Sequence, residues 1–97
     1  MLLSVKLKNQ LKKVKPEGLE YHIKNISING EKVGCSGFVK NLENGKIVYV
    51  NTEMSCFGPL AGKSLYRTAT SLKDYTGGRN HFAANDELAE KVIEMLL

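Results

Sequence analysis

Tyr66 to Asn85 reads YRTATSLKDYTGGRNHFAAN, and this stretch decides the fold that we predict. Its first residues alternate as in a β-strand, its middle breaks at the pair Gly77-Gly78, and Asn85 is a good helix cap. The stretch therefore predicts a strand, a loop rich in hydrogen-bonding groups, and the start of a helix.

The residues after Asn85 continue the helix pattern. Asp86 and Glu87 would lie in the first turn, where acidic side chains complement the helix dipole. Apolar residues then recur at helical spacing and predict a buried face, which consists of Leu88, Val92, Ile93 and Leu96.

Before the stretch, apolar alternation and turn dipeptides predict an antiparallel meander. The predicted turns are Asn29-Gly30 and Glu43 to Lys46, and a slip of phase predicts a bulge near Lys24-Asn25. Gly34 and Gly37 suggest a bend or a close backbone approach in the second strand. The predicted strands are about 19–28, 32–40, 47–50 and 65–71, with 47–50 central and covered on both faces.

The first residues of the chain predict a second helix. Leu3, Leu7, Leu11 and Val14 fall on one side of it, and Pro16 ends it. Leu3, Val5 and Leu7 also alternate as in a strand, but the helix explains more of the segment.

Together these elements predict one α+β domain over residues 1–97. It has a four-stranded antiparallel meander sheet flanked by an N-terminal and a C-terminal helix. A chain of 97 residues has room for one modest core.

Charge is divided unevenly along the chain. Residues 1–40 contain eight lysines against three glutamates, whereas residues 41–97 contain six cations against seven acids. A basic half favours nucleic acid or an acidic protein surface as a partner. The composition predicts a cytoplasmic protein without a membrane segment, in which Cys35 and Cys56 are free thiols and no metal or cofactor is bound.

The glycine loop is the strongest candidate for a binding site. Its glycines permit positive φ and an anion-binding nest, its cations can pair with carboxylate or phosphate, and its rings can stack. The predicted partner-binding residues are Arg67, Lys73, Tyr75, Gly77, Gly78, Arg79, Asn80 and His81. A structured surface loop is the alternative, with Asp74 capping the turn, Tyr75 and Phe82 against the core, and Arg79 paired with a local acid.

The lysine face of the first helix is a second candidate. It can contact phosphates or an acidic partner, or it can be a solvated surface. The predicted nucleic-acid-binding residues are Lys6, Lys8, Lys12, Lys13 and Lys15.

No catalytic signature surrounds any residue, so we expect a protein that is not an enzyme. His22 in a strand is expected to be structural or exposed, and nothing brings Cys56 and His81 together as a nucleophile and base.

Three segments carry a family resemblance: Lys46 to Glu53 (KIVYVNTE), Leu65 to Ala69 (LYRTA) and Lys73 to Asn80 (KDYTGGRN). Together they resemble small proteins and modules of phages and conjugative elements of Firmicutes, related to the large polyvalent protein-associated domains. The resemblance covers about residues 37–97.

The resemblance implies residence on a mobile element and a role in blocking a host defence. Such proteins dock on an effector, for example a CRISPR nuclease complex, or sequester a nucleotide signal. It implies target contacts at Arg67, Lys73, Tyr75, Arg79 and Asn80. We therefore expect an anti-CRISPR-like binding protein, with a nucleic-acid-binding module or a nucleotide sponge as alternatives and a homodimer permitted by exposed edge strands.

Overall fold

The computed structural model describes residues 3–52, 63–74 and 78–97. A five-stranded antiparallel sheet has the order β1-β2-β3-β4-β5, and both helices pack on one of its faces. In chain order the elements are α1 (Leu3–Val14), β1 (Leu19–Ile28), β2 (Glu31–Asn41), β3 (Ile47–Asn51), β4 (Lys63–Ala69), β5 (His81–Ala84) and α2 (Leu88–Leu96).

The predicted α+β meander is confirmed, but the prediction of four strands was wrong. His81–Ala84 forms a fifth strand, which pairs with β4 from Tyr66↔His81 to Lys63↔Ala84. Four residues are too few for alternation to stand out in sequence, and their partners in β4 lie 15 to 21 residues earlier. The strand therefore forms through its contact with β4 rather than through local preference.

The first hairpin turns where the sequence predicts. Asn29 and Gly30 both have positive φ, 52° and 81°, as a two-residue type I′ turn requires. The bulge, however, lies between Ile26 and Ser27 rather than at Lys24-Asn25, because the register with β2 shifts there. It thus lies close to the turn, where a bulge adjusts the twist of the hairpin.

The core lies between the helices and the sheet. Leu7 and Leu11 of α1 are buried over β1 and β2, while α2 covers β3, β4 and β5. The buried face of α2 is confirmed, and it consists of Leu88, Ala89, Val92, Ile93 and Leu96. Val14 is 50% exposed at the end of α1, so its assignment to the apolar face was wrong. The side chain of Leu3 lies outside the described residues.

β3 is the central strand, as predicted. Val48 and Val50 are fully buried beneath the helices, whereas Tyr49 and Asn51 on the opposite face are half-buried. β3 is thus completely covered only on the face that carries the helices, whereas the sequence predicted coverage on both faces.

The start of α2 differs from the prediction. The helix begins at Leu88 with Glu87 at the N-cap position, and no side chain caps it. Asn85, the predicted cap, accepts a hydrogen bond from the Ser64 hydroxyl instead. The reason is that β5 extends to Ala84, after which the Glu87 amide donates to the Ala84 carbonyl and closes a turn.

We predict that Gly37 is indispensable for the first hairpin. Its φ is 153°, and a Cβ atom there would lie 1.9 Å from the His22 carbonyl oxygen of β1. Gly37→Ala should lower the free energy of unfolding by about 3 kcal/mol or more, measured by urea denaturation.

Gly45→Ala is the matched control, because Gly45 also has positive φ (78°) but nothing within 4 Å of the added atom. Gly45→Ala should lower the free energy of unfolding by only about 1–2 kcal/mol. Equal losses for the two variants would contradict a close approach of β1 and β2 at Gly37.

Candidate functional site

The two predicted binding segments approach each other at one end of the sheet. We call this the turn end: the end of α1 (12–15), the β2–β3 turn (42–46), the end of α2 (96–97), which Asn44 of that turn contacts, and the start of the β4–β5 loop (70–74), with 78–80 beside it. Ile47 pairs with Ala69, so the next residues outward, Lys46 and Thr70, are neighbours. Lys15 Nζ lies 2.9 Å from Glu43 Oε1, which ties α1 to the same turn.

Arg67 lies on the sheet face opposite the helices, and its side chain is only 3% exposed. Its guanidinium carbon lies 4.6 Å from the centroid of the Tyr49 ring on β3, a cation–π distance. Tyr49 in turn contacts Phe38 of β2, with ring centroids 5.3 Å apart. This burial leaves Arg67 little surface for a partner, although the sequence predicts it as a contact residue.

Arg67 instead anchors the loop through Asp74. Its Nη2 donates a 3.0 Å hydrogen bond to the Asp74 carbonyl, and its Nη1 lies 3.9 Å from Asp74 Oδ1. The Asp74 carboxylate also accepts hydrogen bonds from the Thr70 amide (2.9 Å) and the Thr70 hydroxyl (3.1 Å). Asp74 therefore caps the turn after β4, as the surface-loop alternative predicted, and connects it to a buried cation.

The far side of the loop lies close against β4. Gly78 has φ 81°, and a Cβ atom there would lie 2.6 Å from the Thr68 carbonyl oxygen, so the site admits only glycine without a shift. Lys73, Arg79 and Asn80 are exposed, and Arg79 makes no ion pair within the described residues. Tyr75 and Gly77, both predicted to bind the partner, lie outside the described residues.

His81 faces the helix side of the sheet rather than the loop cations. It is half-buried and stacks on Tyr66, with centroids 5.4 Å apart and planes inclined by 28°. Phe82 points to the opposite face and is 44% exposed, so the expected contact of Phe82 with the core was wrong.

The five lysines of the first helix segment have different surroundings. Lys6, Lys12 and Lys13 are exposed, whereas Lys8 and Lys15 are half-buried. Lys12 Nζ lies 5.8 Å from the Tyr21 ring centroid. The exposed cations Lys12 and Lys13 thus lie in the last turn of α1, at the turn end.

An apolar component of the turn end has no clear signal in sequence. The exposed large apolar side chains there are Val14 (50%), Leu42 (55%) and Leu97 (66%). Two asparagines hold their segments together: Asn41 and Asn44 both donate to the Leu96 carbonyl, at 3.0 and 2.9 Å. The side-chain oxygen of the buried Asn41 also accepts a hydrogen bond from the backbone N–H of Glu43. Asn41 therefore fixes both the β2–β3 turn and the end of α2.

Two further polar features lie within the described residues: a small cavity and a buried thiol. A cavity of about 20 Å³ at the start of α2, lined by Lys6, Gln10 and Thr52 among others, has room for about one water. Burial raises the pKa of the Cys35 thiol, against smaller lowering effects of the Thr52 hydrogen bond and of Lys8, so little thiolate forms at neutral pH.

His22 is exposed and hydrogen-bonded to Glu20, in accord with its predicted structural or exposed place. Within residues 3–52, 63–74 and 78–97, no three metal-ligating side chains cluster. The helices described are too short and too polar to cross a membrane. Cys56 lies outside the described residues.

Comparison of the chain with protein-family models, with curated proteins and with solved structures finds no match.

We predict that Arg67 needs its planar guanidinium as well as its charge. Arg67→Lys keeps the cation but loses the stacking on Tyr49 and the forked contact with Asp74. The free energy of unfolding should therefore fall by about 1–3 kcal/mol. Thermal and urea denaturation measure this loss.

Arg79→Lys is the matched control, since Arg79 is exposed. It should change the free energy of unfolding by less than about 0.5 kcal/mol. A neutral effect of Arg67→Lys would mean that the buried guanidinium does not hold the loop.

Proposed function

We propose that this chain is a small non-enzymatic binding protein that docks on an acidic surface of another protein through its turn end. The observation that supports this is the grouping of exposed cations with exposed apolar side chains. Lys13, Lys46, Lys73 and Arg79 supply the charge, and Val14, Leu42 and Leu97 supply the apolar surface. The nearby acids Glu43 and Asp74 are already paired with Lys15 and Arg67.

The apolar side chains favour a protein partner over nucleic acid. Exposed apolar groups within a polar rim are typical of protein interfaces, where their burial contributes affinity. The surrounding cations would then select an acidic partner and speed the encounter. The Arg67–Asp74 contact holds the loop in place before binding, which reduces the entropy lost on docking.

For the partner we propose an effector of a host defence system, with a CRISPR nuclease complex as the first candidate. Here the support is the resemblance of KIVYVNTE, LYRTA and KDYTGGRN to proteins of phages and conjugative elements. Inhibition would follow from occupation of an acidic surface that the effector needs.

A nucleic-acid-binding function is the second candidate, because α1 contains four lysines and no acidic residue, and Lys15 follows just beyond its end. It would use Lys6, Lys12 and Lys13, which are exposed. The nucleotide sponge is the third candidate, and it would use the glycine loop, in which Arg79 and Asn80 are exposed.

The test is a binding titration with a purified CRISPR effector complex, duplex DNA and single-stranded RNA, each at two salt concentrations. The variants are Leu42→Ser and the double variant Lys73→Glu/Arg79→Glu. Each should weaken effector binding about tenfold or more, because interface anchors and complementary charges are lost. The protein should show no salt-sensitive binding to either nucleic acid.

The matched controls are Val5→Ser and Lys91→Glu, which change an exposed apolar residue of α1 and an exposed lysine of α2 away from the turn end. Both should bind the effector as the wild type does. Absence of effector binding, or binding that neither test variant alters, would overturn the proposal; DNA binding unchanged in Leu42→Ser would favour the second candidate.

A further inference from the structure

β1 is an edge strand whose outer side has no neighbour among the described strands. It is ten residues long and pairs only with β2. An edge of this length presents a row of unpaired backbone groups that can pair with another strand.

The direction of those backbone groups follows from the register with β2. The Leu42 amide donates to the Gly18 carbonyl at 2.8 Å, and the pairing then continues through Glu20↔Lys40 and His22↔Phe38. In an antiparallel pair, hydrogen-bonded residues alternate with residues whose amides and carbonyls point away. The backbone of Leu19, Tyr21 and Ile23 therefore points outward, and it has no hydrogen-bond partner there in the part of the chain described.

The side chains next to this edge form two sets. On the helix side, Leu19, Tyr21 and Ile23 pack against the core and remain half-exposed. On the opposite face, Glu20 and Lys24 lie on either side of His22. Along this face of β1 the order is therefore acid, histidine and base. If a second copy of the strand runs in the opposite direction, the acid of each copy faces the base of the other.

We propose that a second copy of this chain pairs with β1 in antiparallel register, with the twofold axis between the two His22 residues. Tyr21 of each copy then lies opposite Ile23 of the other, in pairs that exchange backbone hydrogen bonds. Glu20 of each copy lies opposite Lys24 of the other, in the closer pairs without backbone bonds. The sheet becomes continuous across both copies.

The other registers that the backbone permits fit less well. Residues whose backbone groups point outward must lie opposite residues of the other copy whose backbone groups also point outward. The register can therefore shift only in steps that keep odd-numbered residues opposite odd-numbered residues. One shift places Glu20 opposite Glu20, and the shift of equal size in the other direction places Lys24 opposite Lys24. The two intermediate registers place His22 opposite either Glu20 or Lys24 and leave no Glu20–Lys24 pair.

This inference goes beyond the proposed function and does not depend on it. The twofold axis would leave both helix layers on the same face of the joined sheet and direct the two turn ends in opposite directions. A dimer of this kind would present two docking surfaces, and its assembly is measurable without any partner.

The test is sedimentation velocity of the full chain over a range of concentrations. The wild type should show a reversible monomer–dimer equilibrium. Lys24→Glu and Glu20→Lys alone should each raise the dimer dissociation constant about tenfold or more, because like charges then face each other twice. An equimolar mixture of the two variants should form dimers again, since the acids of one chain face the lysines of the other.

Lys63→Glu is the matched control, because it makes the same charge change at an exposed lysine of β4, three strands away from β1. It should dimerise as the wild type does, and circular dichroism should show that every variant is folded. A wild type that stays monomeric, single variants that dimerise normally, or a mixture that stays monomeric would each overturn the proposal.

Discussion

A buried arginine joins the start of the β4–β5 loop to the sheet. Arg67 lies between the Tyr49 ring and the Asp74 carbonyl, and its charge is shielded from water almost completely. A buried cation needs hydrogen-bond partners, because leaving it unpaired costs several kcal/mol. Movement of Asp74 would remove its two contacts with the guanidinium, and through these contacts the turn around Thr70 is fixed to the sheet.

The same end of the molecule is held from the other side by a buried amide. Asn41 connects the β2–β3 turn to the last turn of α2, while the ion pair of Lys15 and Glu43 adds the end of α1. Three segments distant in sequence are thereby fixed beside one another. Exposed cations and exposed apolar side chains of these segments therefore lie at the same end of the molecule, and this end is the basis of the proposed docking function.

Sequence patterns predicted the helices, the meander and the Asn29-Gly30 turn, because these depend on local periodicity and local turn chemistry. They missed β5, whose four residues depend on pairing with β4, and they placed the α2 cap at Asn85, which hydrogen-bonds Ser64 instead. In the candidate site, the sequence predicted Arg67 as a contact residue but did not reveal its burial. Leu42 and Leu97 lie at the same end of the molecule because Asn41 and Asn44 join the β2–β3 turn to the end of α2, so no sequence pattern could indicate this group of exposed apolar side chains.

The most direct test of this account is the hydrogen-exchange rate of the Thr70 amide, which donates to the Asp74 carboxylate. If Arg67 fixes the loop through Asp74, this exposed turn amide should be protected in the wild type and should lose protection in Arg67→Lys, which leaves the Asp74 carboxylate in place, while the amides of β2 and β3 keep theirs. An unprotected Thr70 amide in the wild type would contradict the claim that the buried arginine holds the loop in place.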